Sequence, residues 1–225
     1  PARHPRPLVD PGRDRSVVVT TDALVAGVHF PLDAQPEQVA AKSLGVNLSD
    51  LAAMGAEPLA YLLAIALPKA WSPAELDQWL GRFASRLAAD QQAYGVVLIG
   101  GDTVATPGPL TLTVTAMGTV VPNKALLRSG ARVGDGVFVS GTIGDAALGL
   151  AVAAGAYRDL EPEERVFLLE RLHLPRPRLA LGQRLAGIAS AAADISDGLI
   201  ADLDHVCAAS GVAAVIDLAR VPLSP

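Results

Sequence analysis

The chain has 225 residues and a formal net charge of −5, with 51% hydrophobic and 18% charged residues. This composition excludes a disordered protein, which requires low hydrophobicity and high net charge. The acidic balance gives no basic footprint for nucleic-acid binding. The longest apolar run, residues 59–67, is far shorter than the roughly 18 residues of a membrane-spanning helix. A single cysteine excludes a disulfide framework, and no apolar signal segment opens the sequence, so we expect a cytoplasmic protein.

Strands and helices alternate through the first half of the chain. Ser72 followed by Pro73 predicts the start of the clearest helix, because serine caps helix N-termini and proline suits the first turn. Gly95 is expected to end that helix. Residues 110–121 alternate apolar and polar side chains, as a half-buried strand does. The predicted strands are 16–21, 59–67, 96–99 and 110–121, and the predicted helices are 36–54 and 73–94.

Pro122 and Asn123 mark a plausible domain boundary. We therefore expect two domains, residues 1–123 and 124–225, in an α/β (α+β) fold. We expect the second domain to be incomplete, because the sequence stops just after a predicted strand. The predicted elements of this half are strands at 136–140 and 213–218 and helices at 145–155, 162–173, 177–189 and 198–210.

Four aspartate clusters lie at the predicted ends of strands or helices, each beside hydroxyl or glycine residues. Hard cations such as Mg²⁺ take oxygen ligands, commonly one or two carboxylates together with substrate phosphates. Neighbouring glycines let backbone N–H groups approach phosphate oxygens. Together the clusters predict a magnesium–nucleotide site built from several loops. They are residues 20–22 (TTD), 47–50 (NLSD), 100–103 (GGDT) and 194–198 (DISDG).

Each cluster alone also has an ordinary structural explanation. Aspartate after a strand is often a turn former or a helix N-cap, and Ser-Asp-Gly alone favours a turn. Asp50 lies three residues after Asn47 near the end of a predicted helix, where the helix dipole disfavours an anion. A solvated surface position therefore explains Asp50 equally well. His29, in the loop after the first cluster, is compatible with facing a ligand or with a structural position.

Six segments follow one another in a fixed order: TTDALVAGVHF (20–30), KSLGVNLSDLAAMGAEP (42–58), YGVVLIGGDTVATPGPLTLTVTAMG (94–118), LLRSGARVGD (126–135), VSGTIGDAALGL (139–150) and ADISDGLIADL (193–203). Together they resemble the thiamine-monophosphate kinase family. That family belongs to the superfamily of ATP-binding proteins related to aminoimidazole ribonucleotide synthetase. TTD followed by GVHF points to the kinase rather than to its superfamily relatives.

The resemblance implies a mixed-sheet N-terminal domain that binds ATP and several magnesium ions. It also implies that His29, in the GVHF segment, contacts thiamine monophosphate. The implied magnesium ligands are Thr20, Thr21, Asp22, Asp50, Asp102, Asp194 and Asp197. The implied ATP contacts are Gly101, Asp102, Arg128 and Ser196, together with Tyr94 of the YGV segment.

The implied reaction is in-line phosphoryl transfer from ATP to thiamine monophosphate, giving thiamine diphosphate and ADP. A phosphate oxygen of the acceptor is already a nucleophile at neutral pH, so no catalytic side chain is expected. Catalysis then consists of positioning and of charge neutralisation by metal ions. Because the family forms a homodimer, we expect a homodimer here, with no nucleic-acid or membrane partner.

Two features depart from the family pattern. The family's Gly-Asp-Asp motif before the first strand has no counterpart in residues 3–10, and the family continues beyond residue 225. We therefore expect weak activity or none from these residues alone. The alternatives are another ATP-dependent enzyme of the superfamily, resembling aminoimidazole ribonucleotide synthetase or a hydrogenase maturation factor, and a nucleotide-binding relative without catalytic activity.

Overall fold

A computed structural model describes residues 10–224 of the chain. Over these residues the protein is a mixed α/β structure with one four-stranded sheet and six α-helices, which confirms the predicted fold class. The strands are β1 (Ser16–Val25), β2 (Glu57–Pro68), β3 (Val97–Thr106) and β4 (Thr111–Val120). The helices are α1 (Pro36–Ala53), α2 (Pro73–Tyr94), α3 (Asp145–Ala153), α4 (Pro162–His173), α5 (Leu179–Leu185) and α6 (Leu199–Ser210).

Residues 3–9 belong to the stretch that lacks the family's Gly-Asp-Asp motif, and they lie outside the described residues. None of the helices in the described region combines the length and apolar character needed to cross a membrane.

The sheet has the strand order β1-β4-β2-β3. Strand β4 runs antiparallel to both of its neighbours, whereas β2 and β3 are parallel. Helix α1 covers one face of the sheet and lies against β1 and β4, with Leu44, Leu48 and Leu51 fully buried in the core. The opposite face is open and carries exposed apolar side chains, including Val19 and Val104.

Local sequence signals place the ends of α2 as predicted. The Ser72 side chain accepts a hydrogen bond from the backbone N–H of Glu75, and the Glu75 carboxylate accepts one from the N–H of Ser72, which completes a capping box. Gly95 ends the helix in the left-handed conformation, with φ of 66°. Phe83 and Leu87 bury the apolar face of α2 in the same core.

Two strands are longer than predicted, and their aspartates lie inside them. Asp22 pairs with Val114 of β4, and Asp102 pairs with Ala64 of β2, so the expectation that these residues follow strand ends is wrong. Both strands stay paired with their neighbours beyond these aspartates, because the hydrogen bonds between strands outweigh the preference of Asp and Gly for turns. Gly101 allows this pairing, because a Cβ atom there would lie 1.7 Å from the carbonyl oxygen of Leu63.

The predicted strands at 136–140 and 213–218 do not form. Neither segment has a ladder partner in the described residues, and a strand without a partner leaves its backbone groups unpaired. A short 3₁₀ turn at Leu218–Arg220 follows the second segment. The helices predicted at 145–155, 162–173 and 198–210 are confirmed, and the one predicted at 177–189 shortens to α5 because Ala186 adopts an extended ψ of 116°.

Helix α5 joins the second half of the chain to the first. Leu179 belongs to the core cluster formed by the sheet and α1. Gly182 lies so close to α1 that a Cβ atom there would be 1.9 Å from the carbonyl oxygen of Ala52. The backbone N–H of Leu126 donates to the carbonyl oxygen of Met54 at 3.1 Å. The division into domains at residues 1–123 and 124–225 stays a prediction.

Candidate functional site

Three carboxylates from distant parts of the chain lie together, and we call Asp22, Asp50 and Asp194 the carboxylate cluster. Asp22 is on β1, Asp50 is in the last turn of α1, and Asp194 is in the loop before α6. Thr20 lies two residues before Asp22 on the face of β1 that α1 covers, and its hydroxyl donates to Asp50 Oδ2 at 2.5 Å. The fold therefore brings together carboxylates that are up to 172 positions apart in sequence.

The cluster is electrostatically strained by burial and by repulsion among its members. Burial raises the pKa of Asp22, and the charge of Asp194 raises it further, while His29 opposes the shift. Burial also raises the pKa of Asp50 and of Asp194, and each of them is repelled by another member of the cluster. Hydrogen bonds from hydroxyl groups partly offset this, since Ser49 donates to Asp194 Oδ2 at 2.9 Å. Such a group of carboxylates favours a bound cation.

The donors of the cluster suit a hard cation, but they do not enclose one. Carboxylate and hydroxyl oxygens are the ligands that Mg²⁺ prefers. Within residues 10–224, however, no group of three or more His, Cys, Asp or Glu side chains is arranged to hold a metal ion by itself. Magnesium commonly takes only one or two carboxylates and completes its coordination with water and phosphate oxygens. The residues therefore fit magnesium bound together with a phosphate ligand.

A cationic group, the guanidinium of Arg128, acts on the cluster. The charge of Arg128 lowers the pKa of Asp50, although burial keeps that pKa raised overall. Ser210, at the end of α6, anchors the loop that carries Arg128. Its hydroxyl donates to the carbonyl oxygen of Arg128 at 3.1 Å and accepts from the N–H groups of Gly130 and Ala131, both also at 3.1 Å.

Asp202 is a residue of this site that the sequence analysis missed. Its buried Oδ2 accepts hydrogen bonds from the backbone N–H groups of Ser196, Asp197 and Gly198, at 2.9, 3.1 and 3.2 Å. The carboxylate thereby fixes the loop in which Asp194 lies. Its position in the first turn of α6, shortly after a Ser-Asp-Gly turn, is the signal that could have identified it.

The implied ligands Ser196 and Asp197 share that loop but not the burial of Asp194. Both residues are exposed, and their described hydrogen bonds are those of their backbone N–H groups to Asp202. The side chains of both residues are therefore open to solvent. They lie at the rim of the site, where a ligand could reach them.

Three other implied residues do not join the cluster within one chain. Thr21 points to the opposite face of β1 from Thr20 and Asp22, and its hydroxyl donates to the carbonyl oxygen of Val114 at 3.1 Å. Asp102 is exposed on the open face of β3 and accepts a hydrogen bond from Thr103 N–H at 2.9 Å. Three strand spacings separate β1 from β3, which amounts to about 14 Å. Gly101 is the neighbour of Asp102 on the same distant strand.

Tyr94 lies in a different environment, at the end of α2. Burial raises the pKa of its hydroxyl, and the charged groups that act on it are Asp90, Arg86 and Arg176. None of these belongs to the carboxylate cluster. The nucleotide contact implied for Tyr94 stays a prediction that no geometry of this structure supports.

His29 lies in the short loop after β1, beside the carboxylate cluster. Its Nδ1 accepts a hydrogen bond from the backbone N–H of Val25 at 3.0 Å, so a neutral ring carries its proton on Nε2. His29 lowers the pKa of Asp22, which places the imidazole next to the cluster. The site thus combines a carboxylate group suited to a metal, an arginine suited to phosphate, and an imidazole donor at its edge.

Comparison with protein families matches almost the whole chain. Residues 6–120 match the N-terminal domain of AIR synthase related proteins, and residues 132–224 match the C-terminal domain of the same family. The chain is 46% identical over 210 residues to the thiamine-monophosphate kinase of Salmonella typhimurium, an alignment that covers 93% of this chain and 62% of that protein. It thus spans less than two thirds of the length of this relative.

Solved structures agree with the family match. The crystal structure of thiamine-monophosphate kinase from Stenotrophomonas maltophilia K279a superposes with a TM-score of 0.87 and 44% identity, over 96% of this chain and 68% of that chain. A structure described as AaThiL complexed with AMPPCP and TMP has a TM-score of 0.81 and 31% identity, over 92% of this chain and 64% of that chain. The fold of the matched residues is therefore that of these relatives.

Proposed function

This chain belongs to the AIR synthase related protein family, and we propose that the full-length protein transfers a phosphoryl group from ATP to thiamine monophosphate, giving thiamine diphosphate and ADP. The observation that carries the proposal is the carboxylate cluster of Asp22, Asp50 and Asp194, which faces Arg128. Relatives named thiamine-monophosphate kinase, at 46% and 44% identity, support this choice within the family. The neighbour described as complexed with AMPPCP and TMP supports an ATP-like and a thiamine-phosphate-like ligand.

Magnesium is the metal that the proposal assigns to the cluster. Asp22, Asp50 and Asp194 would hold it, with the hydroxyl of Thr20 beside Asp50. A metal ion held by these residues would supply positive charge that offsets the charge of the substrate phosphates. The exposed Asp197 at the rim of the same loop is a further candidate ligand.

The cationic and donor groups of the site have separate tasks in this proposal. The guanidinium of Arg128 would pair with nucleotide phosphate oxygens, because its planar array of donors matches them. Ser196 would contact ATP from the loop that Asp202 fixes. The imidazole of His29 would donate from Nε2 to thiamine monophosphate.

The reaction needs no nucleophilic side chain. A phosphate oxygen of thiamine monophosphate attacks the γ-phosphorus of ATP in line, its new P–O bond forms as the bond to ADP breaks, and ADP departs with the bonding electrons. Cys207, the single cysteine, is buried on α6 and has no part in this step. The chain's own residues therefore contribute by holding the two phosphates at a productive distance and angle.

We propose in addition that the protein is a homodimer formed through the open face of the sheet. Val19 on β1 and Val104 on β3 are 60% and 51% exposed on this face, and apolar side chains that are so exposed across a sheet face are typical of an interface. Asp102 and Thr21 lie on the same face, remote from the carboxylate cluster of their own chain. A second copy across this face would give these residues a place in a shared site.

A coupled assay on the full-length protein tests the reaction. We expect thiamine diphosphate to form from thiamine monophosphate, ATP and Mg²⁺, and thiamine without its phosphate to be a poor acceptor. Formation of ADP without thiamine diphosphate, or no product at all, would retire the kinase proposal.

The cytoplasmic location expected from the sequence is also a proposal, which fractionation of cells producing the tagged protein tests.

Subunit mixing tests the shared site. Asp22→Asn and Asp102→Asn should each inactivate the full-length enzyme. If a site combines Asp22 of one copy with Asp102 of the other, random reassortment of the two variants leaves one intact site in each mixed dimer, and about a quarter of wild-type activity returns. A mixture as inactive as either variant would place both residues in sites built from one chain. Sedimentation of wild type and Val19→Asp shows whether the open face forms the dimer.

A further inference from the structure

Lys42 is a partly buried lysine of α1 beside the loop that carries His29. Its Nζ donates a hydrogen bond of 2.9 Å to the backbone carbonyl oxygen of His29. Among residues 10–224, no carboxylate lies within ion-pair distance of this ammonium group. Burial lowers the pKa of Lys42, and burial followed by the charge of Lys42 lowers the pKa of His173. The bond to the loop is thus the one polar contact described for this side chain.

The loop itself is closely hydrogen-bonded, except at that carbonyl. The carbonyl oxygen of Val25 accepts from the N–H groups of Val28 and His29, at 3.1 and 2.9 Å, and Gly27 N–H donates to Phe30 O at 2.7 Å. In the described region, no backbone N–H donates to the carbonyl oxygen of His29. Lys42 therefore supplies the partner that this oxygen otherwise lacks, and a charged donor makes the stronger bond.

We propose that Lys42 is a positioning residue: by holding the carbonyl oxygen of His29, it fixes the loop so that Nε2–H of the imidazole is presented to an acceptor atom of the substrate. The identity of that substrate rests on the proposed function. The orientation of the His29 ring does not depend on which substrate binds. It is set by the hydrogen bond of 3.0 Å from Val25 N–H to Nδ1, which requires this conformation of the loop. Lys42 is not expected to touch the reacting phosphates.

Steady-state kinetics of the full-length enzyme separates positioning from general stability. Lys42→Met keeps the length of the side chain and removes the donor, whereas Lys42→Arg keeps a donor. We expect Lys42→Met to raise KM for thiamine monophosphate about tenfold, the usual effect of losing a charged hydrogen bond, while kcat and KM for ATP change less than about twofold. Lys42→Arg should recover most of the difference. Lys124→Met, at an exposed lysine after the end of β4 and so at the opposite end of the sheet from this loop, is the matched control and should behave as wild type.

The state of the His29 ring gives a second measurement that does not depend on activity. Long-range ¹H–¹⁵N NMR, assigned with His29→Gln, should show the Nε2–H form of His29 in wild type and Lys42→Arg and a mixture of ring forms in Lys42→Met. An unchanged ring form and an unchanged KM in Lys42→Met would overturn the proposal, even if the melting temperature falls. If wild type makes no thiamine diphosphate, the kinase proposal fails, and the NMR comparison still decides whether Lys42 fixes His29.

Discussion

The sheet region, residues 16–121, and the helical region, residues 124–224, hold their functional side chains by different means. In the sheet region the core is continuous, and Asp50 extends from a helix whose Leu48 and Leu51 are fully buried. Between residues 124 and 224, the buried hydrophobic side chains are few, namely Leu126, Val152, Leu168, Leu179 and Cys207. Packing thus positions the acidic groups of the first region.

Hydrogen bonds take over that task in the second region. Asp194 lies in a loop from which three successive backbone N–H groups donate to Asp202, and its own carboxylate accepts a hydrogen bond from Ser49 of the first region. The loop of Arg128 is fixed in the same way by Ser210. A site shared between a packed region and a hydrogen-bonded one therefore depends on two kinds of interaction, which different substitutions can break separately.

The largest expected effect is on activity, at the point where the two regions meet. Asp50→Asn keeps the shape of the side chain but removes a charge from the carboxylate cluster. We expect kcat/KM of the full-length enzyme to fall by at least about 100-fold, because a metal ligand contributes several kcal/mol of charge stabilisation. The exposed Asp33→Asn, in the loop before α1, should retain wild-type activity in the same assay. Unchanged affinity for Mg-ATP in Asp50→Asn would show that Asp50 does not hold the metal ion.

The next effect is on stability and compares the two cores directly. Leu48→Ala removes a side chain that is 0% exposed, and we expect a loss of about 3–5 kcal/mol in the free energy of unfolding. Leu168→Ala, where α4 packs against α3, should cost about 2–3 kcal/mol, because few other fully buried side chains surround the cavity in this region. Urea denaturation of both variants measures the difference. Equal losses would contradict the contrast between a continuous and a sparse core.

A smaller effect is expected where hydrogen bonds replace packing. Asp202→Ala leaves three backbone N–H groups of the loop without their acceptor, and we expect a loss of about 1–3 kcal/mol in stability. Nucleotide binding in the presence of Mg²⁺ should weaken as well, because the loop carries Asp194. The exposed Asp204→Ala on the same helix is the matched control, with less than about 0.5 kcal/mol expected. Denaturation and calorimetric titration with Mg-ATP check both parts; equal behaviour of the two variants would show that the loop needs no such anchor.

The smallest effect is a pH dependence that arises in the cluster. The pKa of Asp50 is raised in the folded protein, so the folded state binds the proton more tightly than the unfolded state does. The metal-free protein therefore loses stability as pH rises from the ordinary value of 3.8 through the raised pKa. Asp50→Asn removes this loss. The variant should melt at a higher temperature than wild type at about pH 7, and the gap should narrow towards about pH 4. A gap that stays constant with pH in EDTA would exclude this cause.

Much of the fold was predictable from local signals. The capping box at Ser72 and the left-handed Gly95 mark the ends of α2, and the alternating pattern predicts β4. The lengths of β1 and β3 were not predictable in this way, because pairing with neighbouring strands carries them through Asp22 and Asp102. The same reason explains the two predicted strands that do not form, which lack partners among the described residues.

The candidate site was predictable in composition but not in arrangement. The aspartate motifs identify Asp22, Asp50 and Asp194, whose carboxylates the structure brings together. They give no sign that Lys42 holds the loop of His29, since that contact depends on backbone conformation, and the anchoring role of Asp202 has only its place after the Ser-Asp-Gly turn as a signal. The position of Asp102 on the far side of the sheet likewise follows from strand order.

The sequence by itself determined the family, the fold class, most helix boundaries and the residue types available for binding a metal and phosphate. These properties depend on short-range patterns, such as capping residues, alternation and motif order, which a linear sequence contains. Only the tertiary structure decided which aspartates share one face, which charges repel and which cation opposes them. Those outcomes depend on strand register and on the burial of charges, and both arise when segments distant in sequence pack together.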